Sequence, residues 1–153
     1  MRLYLVRHGL AVDEKIDSAR SLTPEGVEET KRIGNFLKEN KAGVEVIFHS
    51  TKKRAEQTAE ILRKIVNPAA KLSVKDYLSP NDDIKNIVQD ITGTGKDLVI
   101  VGHLPFLDKL LSYLVLGDES QIIVRFVQSA VVILEKGFSH SWQIALFITP
   151  QEA

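Results

Sequence analysis

Short apolar runs alternate with segments of helical periodicity along most of this chain, and this alternation restricts the fold more than any other feature. Four apolar runs, bounded by polar or turn residues, are typical of buried strands. They span residues 3–6, 44–48, 72–74 and 98–101. A segment with apolar side chains at helical spacing follows each run. We therefore expect an α/β fold with a mainly parallel central sheet and helices on both faces, because right-handed crossovers place the helices there.

Capping and turn residues set the predicted helix boundaries. Thr23 is a suitable N-cap, and Pro24 occupies the first position of a helix that runs to about Asn40. The dipeptide Asn67-Pro68 ends the second helix, and the glycines of residues 93–95 end the third. The apolar faces of the last three helices lie within residues 55–66, 84–91 and 107–114.

The sequence changes character after the fourth predicted helix. Residues 122–134 and 141–148 are rich in β-branched and aromatic side chains, and Glu135-Lys136-Gly137 separates them. This pattern predicts a C-terminal hairpin or a pair of edge strands. At 153 residues the chain is long enough for one compact core and too short for two ordinary domains. We expect a single domain over residues 1–153.

Charge and composition argue against several classes of function. Basic and acidic residues number 20 each, so no overall positive field would attract nucleic acid or anionic lipid. The absence of cysteine excludes disulfides, thiolate metal sites and cysteine nucleophiles. The first residues lack the pattern of a signal peptide, and no apolar stretch approaches the ~18 residues of a membrane span. We expect a monomeric cytoplasmic protein with no nucleic-acid or membrane partner.

Polar and basic residues follow three of the predicted strands. Arg7-His8-Gly9 follows the first strand, Lys52-Lys53-Arg54 begins the helix after the second, and Gly102-His103 follows the fourth. Ligands of parallel α/β sheets bind outside the carboxyl ends of the strands, so these segments should meet at one edge. A turn after His8 is needed to bring it into a pocket with Arg7, and Gly9 allows unusual backbone angles there. Gly102 would let the backbone approach a ligand.

The three cations at the start of the second helix oppose the helix dipole, at a cost of about 0.3–1 kcal/mol each when exposed. A bound anion would reverse that cost. Phosphate fits this arrangement, since Arg7 and Arg54 can each offer it a bidentate guanidinium. Taken singly, each segment has a plainer interpretation, namely a solvated strand end, a solvated helix face or a residue next to an N-cap. The phosphate hypothesis depends on their convergence.

Other candidate motifs lack a suitable context. Residues 93–96 contain Gly-Thr-Gly-Lys, but they follow a helix and precede a strand, which is the wrong order for a nucleotide-binding loop. His49 is interpreted as a structural or solvated histidine, and His140 has no evident partner in the predicted hairpin. The four histidines show no metal-binding spacing. We expect neither a metal ion nor a cofactor.

Several motifs together resemble the histidine phosphatase superfamily, whose fold is phosphoglycerate mutase-like. They are Arg7-His8-Gly9, the segment 20–26, Ser50 with the segment 54–59, Gly102-His103 and the segment 126–130, which is similar to a late strand of that fold. The resemblance spans nearly the whole chain. The short length and the lack of large insertions are similar to the SixA-type phosphohistidine phosphatases within that superfamily.

The resemblance implies a role for each matched residue. His8 would be the nucleophile, Arg7 and Arg54 would clamp the phosphoryl group, and His103 would be the second histidine that contacts it. The additional substrate-binding candidates are Gly9, Arg20, Ser50 and Gly102. The residues themselves agree with these roles, because nearby guanidinium charges keep a histidine neutral and nucleophilic and stabilise the transition state without a metal.

The chain departs from the superfamily pattern at the general acid. Mutases and acid phosphatases of the superfamily carry a proton donor, often Glu, after the third strand, whereas this chain offers Asp76, Asp82 and Asp83 there. Asp82 or Asp83 is the candidate acid, and the alternative is that both are partners of a helix dipole. A weak acid suits a leaving group that departs readily, such as the imidazole of phosphohistidine.

Three hypotheses about function follow. The leading one is hydrolysis of phosphohistidine on a phosphotransfer protein through a covalent intermediate on His8. The second is a broad phosphatase or mutase acting on small phosphorylated substrates. The third, from another class, is a module that binds phosphorylated partners without turning them over.

Overall fold

The computed structural model describes residues 1–137 and 141–153, which form six strands and four helices. The strands are β1 (Arg2–Arg7), β2 (Val46–His49), β3 (Lys71–Val74), β4 (Leu98–Gly102), β5 (Val131–Lys136) and β6 (Trp142–Ile148). The helices are α1 (Pro24–Glu39), α2 (Lys53–Val66), α3 (Lys85–Thr94) and α4 (Phe106–Leu116). Strand and helix alternate from β1 to α4, as the apolar pattern predicts.

All six strands form one sheet in the order β3-β2-β4-β1-β5-β6. The strands β1 to β4 are mutually parallel, whereas β5 pairs antiparallel with β1 and β6 antiparallel with β5. The predicted α/β class, with a mainly parallel sheet and a C-terminal antiparallel pair, is confirmed. Because β1 lies between β4 and β5, it is a central strand, and its carboxyl end lies near the middle of the edge that the strand ends form.

Two helices cover each face of the sheet. Alternate side chains of one strand point to opposite faces, so Leu3 and Leu5 of β1 pack with α3 and α4, while Tyr4 and Val6 pack with α1 and α2. All four side chains are at most 1% exposed. Burial of each such side chain is worth about 1.5–3 kcal/mol, and this two-sided burial explains why the strands are continuous apolar runs.

The predicted helix ends are confirmed. The Thr23 hydroxyl caps α1 by accepting a hydrogen bond from the Gly26 amide at 2.9 Å, and Pro24 is the first helical residue. Asn67 caps the end of α2, and Gly95 ends α3 in the left-handed conformation with φ of 62°. In contrast, Lys52 at the start of α2 makes no side-chain cap hydrogen bond.

The prediction of a strand beginning at residue 122 is wrong, and so is the strand expected over 126–130 from the resemblance. Strand β5 begins at Val131, and residues 121–130 form an irregular connection. Ser129 adopts a φ of 64° within it, which a strand cannot contain. The Phe126 carbonyl accepts a hydrogen bond from the Arg7 side chain instead of a neighbouring strand. His140 lies outside the described residues.

None of the helices in the described part of the chain has the length and apolar character needed to cross a membrane.

Candidate active site

The sheet brings the two candidate histidines together. Arg7 and Gly102 are register partners in the parallel pair β1 and β4, so the residue after each strand leaves the same edge. The His8 amide donates to the Gly102 carbonyl at 3.0 Å. The rings of His8 and His103 are 4.9 Å apart between centroids and tilted by 51°. Adjacent strand ends thus place two imidazoles side by side.

A cleft of about 210 Å³ opens at this edge of the sheet. Its described lining combines cations, imidazoles, one amide and an apolar rim: Arg7, His8, Leu10, Ala11, Arg20, Arg54, Pro80, His103, Leu104 and Gln128. A larger groove of about 700 Å³, with Ile91, Leu114 and Trp142 in its wall, contains none of the candidate residues. Three guanidiniums facing two imidazoles make the smaller cleft suited to a tetrahedral oxyanion.

One ring nitrogen of His8 is held by the backbone. Its Nδ1 lies 2.8 Å from the Gly9 carbonyl oxygen, which can only accept, so Nδ1 carries the proton and Nε2 has the lone pair. The Gly9 amide donates to Thr58 Oγ1 at 2.9 Å, and that hydroxyl donates to the Arg54 carbonyl at 2.8 Å. These bonds couple the turn after β1 to the first turns of α2.

Gly9 is required by space and not by its backbone angles. Its φ is not positive, so the expectation of an unusual dihedral there is wrong. A Cβ at this position would lie 2.9 Å from Thr30 Oγ1 and 3.1 Å from a methyl carbon of Leu22. A Cβ at Gly102 would meet only Leu107, at 3.5 Å, which is ordinary contact.

Arg20 reaches the cleft from the loop between β1 and α1. Its φ of 54° is in the left-handed region, at a cost of about 1–2 kcal/mol, and its Nε donates to the Val12 carbonyl at 3.2 Å. The loop is fastened at its base, where the Thr23 amide donates to the Leu10 carbonyl at 2.9 Å. A Cβ on Gly26 would lie 2.2 Å from that carbonyl oxygen, so only glycine permits this approach.

Arg7 is fixed by a residue far along the chain. Its Nη1 donates to the Phe126 carbonyl at 2.8 Å, while its buried Nε has no partner among the described residues. Burial lowers the pKa of Arg7, and the charge of Asp108 on α4 acts in the opposite direction. Arg54 likewise has a buried, unpartnered Nε. Both guanidiniums therefore have donor capacity left for an anion.

Burial and positive charge keep both histidines neutral. Burial is the largest cause that lowers the pKa of His8 to about 4. The Gly9 hydrogen bond, the next largest, raises it, and the charges of Arg54, Arg7 and Arg20 lower it further. Burial, His8 and nearby cations lower the pKa of His103 to about 3. At neutral pH the site therefore holds two neutral imidazoles beside fixed positive charge.

Stability should consequently fall as the solution is acidified. Between pH 4 and 6.5, His8 is protonated in the unfolded chain and neutral in the folded protein. The contribution of His8 to the free energy of unfolding is therefore complete above pH 6.5 and is lost towards pH 4. The free energy of unfolding, measured with urea at several pH values in this window, should change with pH more steeply for the wild type than for His8→Ala. The difference should reach up to about 1.4 kcal/mol per pH unit. Parallel curves for the two proteins would contradict the lowered pKa.

The two candidate general acids, Asp82 and Asp83, form hydrogen bonds with the backbone outside the cleft. Asp82 accepts a hydrogen bond from the Ser79 amide and Asp83 one from the Lys85 amide, each at 2.8 Å. Asp83 thus stabilises the start of α3, and neither aspartate is among the described residues that line the cleft. The same segment instead contributes Pro80 to the rim. The bond of Asp83 agrees with the helix-dipole alternative, whereas Asp82 bonds to the turn before α3.

His49 and possible metal ligands are the other features considered in the sequence. His49 is 4% exposed, and its Nδ1 donates to the Ser50 carbonyl at 2.8 Å, which makes it a structural residue. Over residues 1–137 and 141–153, no group of three or more His, Cys, Asp or Glu side chains is placed to hold a metal ion.

Sequence reasoning missed part of the lining. It did not identify Gln128 or the apolar rim formed by Leu10, Ala11, Pro80 and Leu104. Thr58 does not line the cleft, but it accepts a hydrogen bond from the Gly9 amide, and its position one helical turn after Arg54 could have indicated that it lies on the same helix face. Gln128 gives no comparable signal, since only the irregular connection before β5 brings it to the cleft.

The family of the chain follows from this fold and from comparison of sequences. The model of the family described as the histidine phosphatase superfamily (branch 1) matches residues 3–79. The chain belongs to this superfamily, and the resemblance seen in its motifs is confirmed.

Individual relatives are similar over nearly their whole length. The phosphohistidine phosphatase SixA of Escherichia coli (strain K12) is 29% identical over 151 residues, which cover 95% of this chain and 94% of that protein. A structure of the protein histidine phosphatase SixA complexed with tungstate superposes with a TM-score of 0.86 and 28% identity, over 99% of this chain and 98% of that one. The fold is therefore that of SixA.

Proposed function

We propose that this protein is a phosphohistidine phosphatase that transfers the phosphoryl group of its substrate to His8 and then to water. The observation that carries the proposal is the single cleft in which two neutral imidazoles face the guanidiniums of Arg7, Arg20 and Arg54. This is the composition that a tetrahedral, doubly charged group requires. Similarity to SixA over almost the entire chain supports the same function.

The hydrogen bonds of His8 determine the first step. The lone pair on Nε2 attacks phosphorus, and the bond from phosphorus to the substrate nitrogen breaks with its electron pair remaining on the substrate. The proton on Nδ1 stays with His8 and is held by the Gly9 carbonyl. Arg7 and Arg54 stabilise the charge on the phosphoryl oxygens as the bonds exchange.

Hydrolysis of the intermediate restores the site. Water attacks phosphorus on His8, the phosphorus to Nε2 bond breaks, and its electron pair returns to the ring. Inorganic phosphate carries away the oxygen and the protons of the water molecule. His8 is then neutral again, with its proton on Nδ1, as its lowered pKa requires.

The lining of the cleft favours phosphohistidine over alkyl phosphates. When the other nitrogen of the substrate ring is protonated, imidazole leaves as a neutral molecule and needs no carboxylic acid beside the breaking bond. An alkoxide leaving group does need one. The apolar rim of Leu10, Ala11, Pro80 and Leu104 suits the flat carbon faces of an imidazole. The partner in this proposal is a histidine-containing phosphotransfer protein, and the reaction takes place in the cytoplasm.

A phosphotransfer domain labelled on its histidine tests the proposal. We expect the protein to remove the label catalytically, whereas phosphoesters such as sugar phosphates and phosphoserine should react at least about 100-fold more slowly in kcat/KM, because no acid assists their departure. The measurement is release of inorganic phosphate from each substrate at equal concentration, with phosphoryl transfer between small molecules scored separately.

His8→Ala is the matched control for this experiment. Loss of label no faster than with His8→Ala would reject the phosphatase proposal in favour of a binding module. Equal or better turnover of phosphoesters would identify a broad phosphatase, and transfer without phosphate release would identify a mutase.

A further inference from the structure

Ser50 is buried behind the cleft and contacts the second histidine. It is 0% exposed, is not among the described residues that line the cleft, and its Oγ lies 2.6 Å from His103 Nε2. The same oxygen accepts a hydrogen bond from the Lys52 amide at 3.3 Å. The position of Ser50, directly after β2, therefore places its hydroxyl between a backbone donor and an imidazole, out of reach of a substrate.

The direction of the hydrogen bonds follows from counting donors and acceptors. The amide of Lys52 can only donate, and no acceptor other than His103 Nε2 is present for the Ser50 hydroxyl proton among the described residues. If His103 carried its proton on Nε2, the buried hydroxyl proton of Ser50 would be unpaired, at a cost of about 1–3 kcal/mol. The bonds are complete only when Ser50 donates to Nε2.

The other nitrogen of His103 must then carry the proton of the neutral ring. His103 Nδ1 is buried and has no partner among the described residues. An N–H group on Nδ1 has no acceptor among the described residues, and since His103 lines the cleft, an anion bound there can accept its hydrogen bond. A lone pair there would instead repel phosphoryl oxygens. The ring cannot gain donors by becoming charged at neutral pH, because its pKa is about 3.

We propose that Ser50 is a positioning residue that fixes His103 in the tautomer protonated on Nδ1, so that a neutral imidazole donates a hydrogen bond to the phosphoryl group in the transition state. This role differs from the direct substrate contact that the family resemblance implies for Ser50. It deepens the proposed function and rests on it for the reaction, while the tautomer itself does not depend on any activity.

Nitrogen NMR of the full chain, with labelled histidines, tests the tautomer. We expect His103 of the wild-type protein to carry its proton on Nδ1, and Nδ1 to become hydrogen-bonded when tungstate is added. In Ser50→Ala we expect a mixture of tautomers. A wild-type His103 protonated on Nε2 would overturn the proposal without any variant, and so would an unchanged tautomer in Ser50→Ala.

Kinetics supply the second measurement. Ser50→Ala should lower kcat about 10-fold while KM changes little, since the lost alignment matters most in the transition state. Ser112→Ala is the matched control, because Ser112 is also 0% exposed and donates to a backbone carbonyl remote from the cleft. Unchanged kcat in Ser50→Ala, or an equal loss in Ser112→Ala, would overturn the proposal. Inactive wild-type protein with the expected tautomer would instead reject the proposed function alone.

Discussion

Label from a phosphohistidine substrate should accumulate on His8 when the reaction is stopped by denaturation in alkali. Phosphohistidine survives base and is lost in acid, so the adduct should resist alkali and disappear on acidification. His8→Ala should carry no label and should lose activity by about 10⁴-fold or more, because it lacks the imidazole that forms the proposed covalent intermediate. Peptide mapping of the alkaline digest locates the labelled residue.

His49→Ala is a control with the same local geometry. The Nδ1 atoms of His8 and His49 both lie 2.8 Å from the carbonyl oxygen of the following residue, and both rings are buried. Only His8 lines the cleft. Label on His103 or His49, or activity retained by His8→Ala, would refute the assignment of the nucleophile.

Removal of the Arg54 guanidinium should have the next largest effect. Arg54→Ala should lower kcat/KM for a phosphohistidine substrate by about 10³-fold, because the guanidinium that stabilises the charge of the transferred phosphoryl group is removed. The buried Nε of Arg54 has no other partner among the described residues. Arg54→Lys should give an intermediate loss, since a lysine keeps the charge and loses the planar fork. Initial rates and the affinity for tungstate measure the two effects.

Arg63 provides the matched control on the same helix. Arg63 is half-buried in α2 and also has a buried, unpartnered Nε, but it does not line the cleft. Arg63→Ala should therefore leave kcat/KM within a few-fold of the wild type. A loss equal to that of Arg54→Ala would show that α2 stability, and not phosphoryl binding, explains both results.

The regular part of the fold could be predicted because local and long-range preferences agree. The run Leu98 to Val101 is apolar on both faces and is buried on both faces. Thr23 and Pro24 end the loop before α1 by local hydrogen bonding and a restricted backbone angle. Parallel topology places the carboxyl ends of β1 to β4 at one edge of the sheet, so element order predicts that Arg7, His8 and His103 lie at that edge. That β1 and β4 are neighbours is seen only in the structure.

The irregular parts could not be predicted, because distant partners determine them. The apolar run after residue 121 has strand composition, yet the Phe126 carbonyl bonds to Arg7 and the Ser129 amide bonds to the Arg7 carbonyl. No local pattern encodes a contact across 119 residues. The role of Gly9 was misjudged for the same reason, since it depends on Thr30 and Leu22 packed against it.

The central place of β1 in the sheet ties catalysis to the last part of the chain. The first eight residues supply the proposed nucleophile, but Arg7 is oriented by Phe126, and one side of β1 is unpaired until β5 pairs with it. A polypeptide that ends before Phe126 would carry His8 and Arg54 but would lack the residue that orients Arg7. The proposed phosphatase activity should therefore depend on the segment from Phe126 onward, although that segment contributes only Gln128 to the described lining of the cleft.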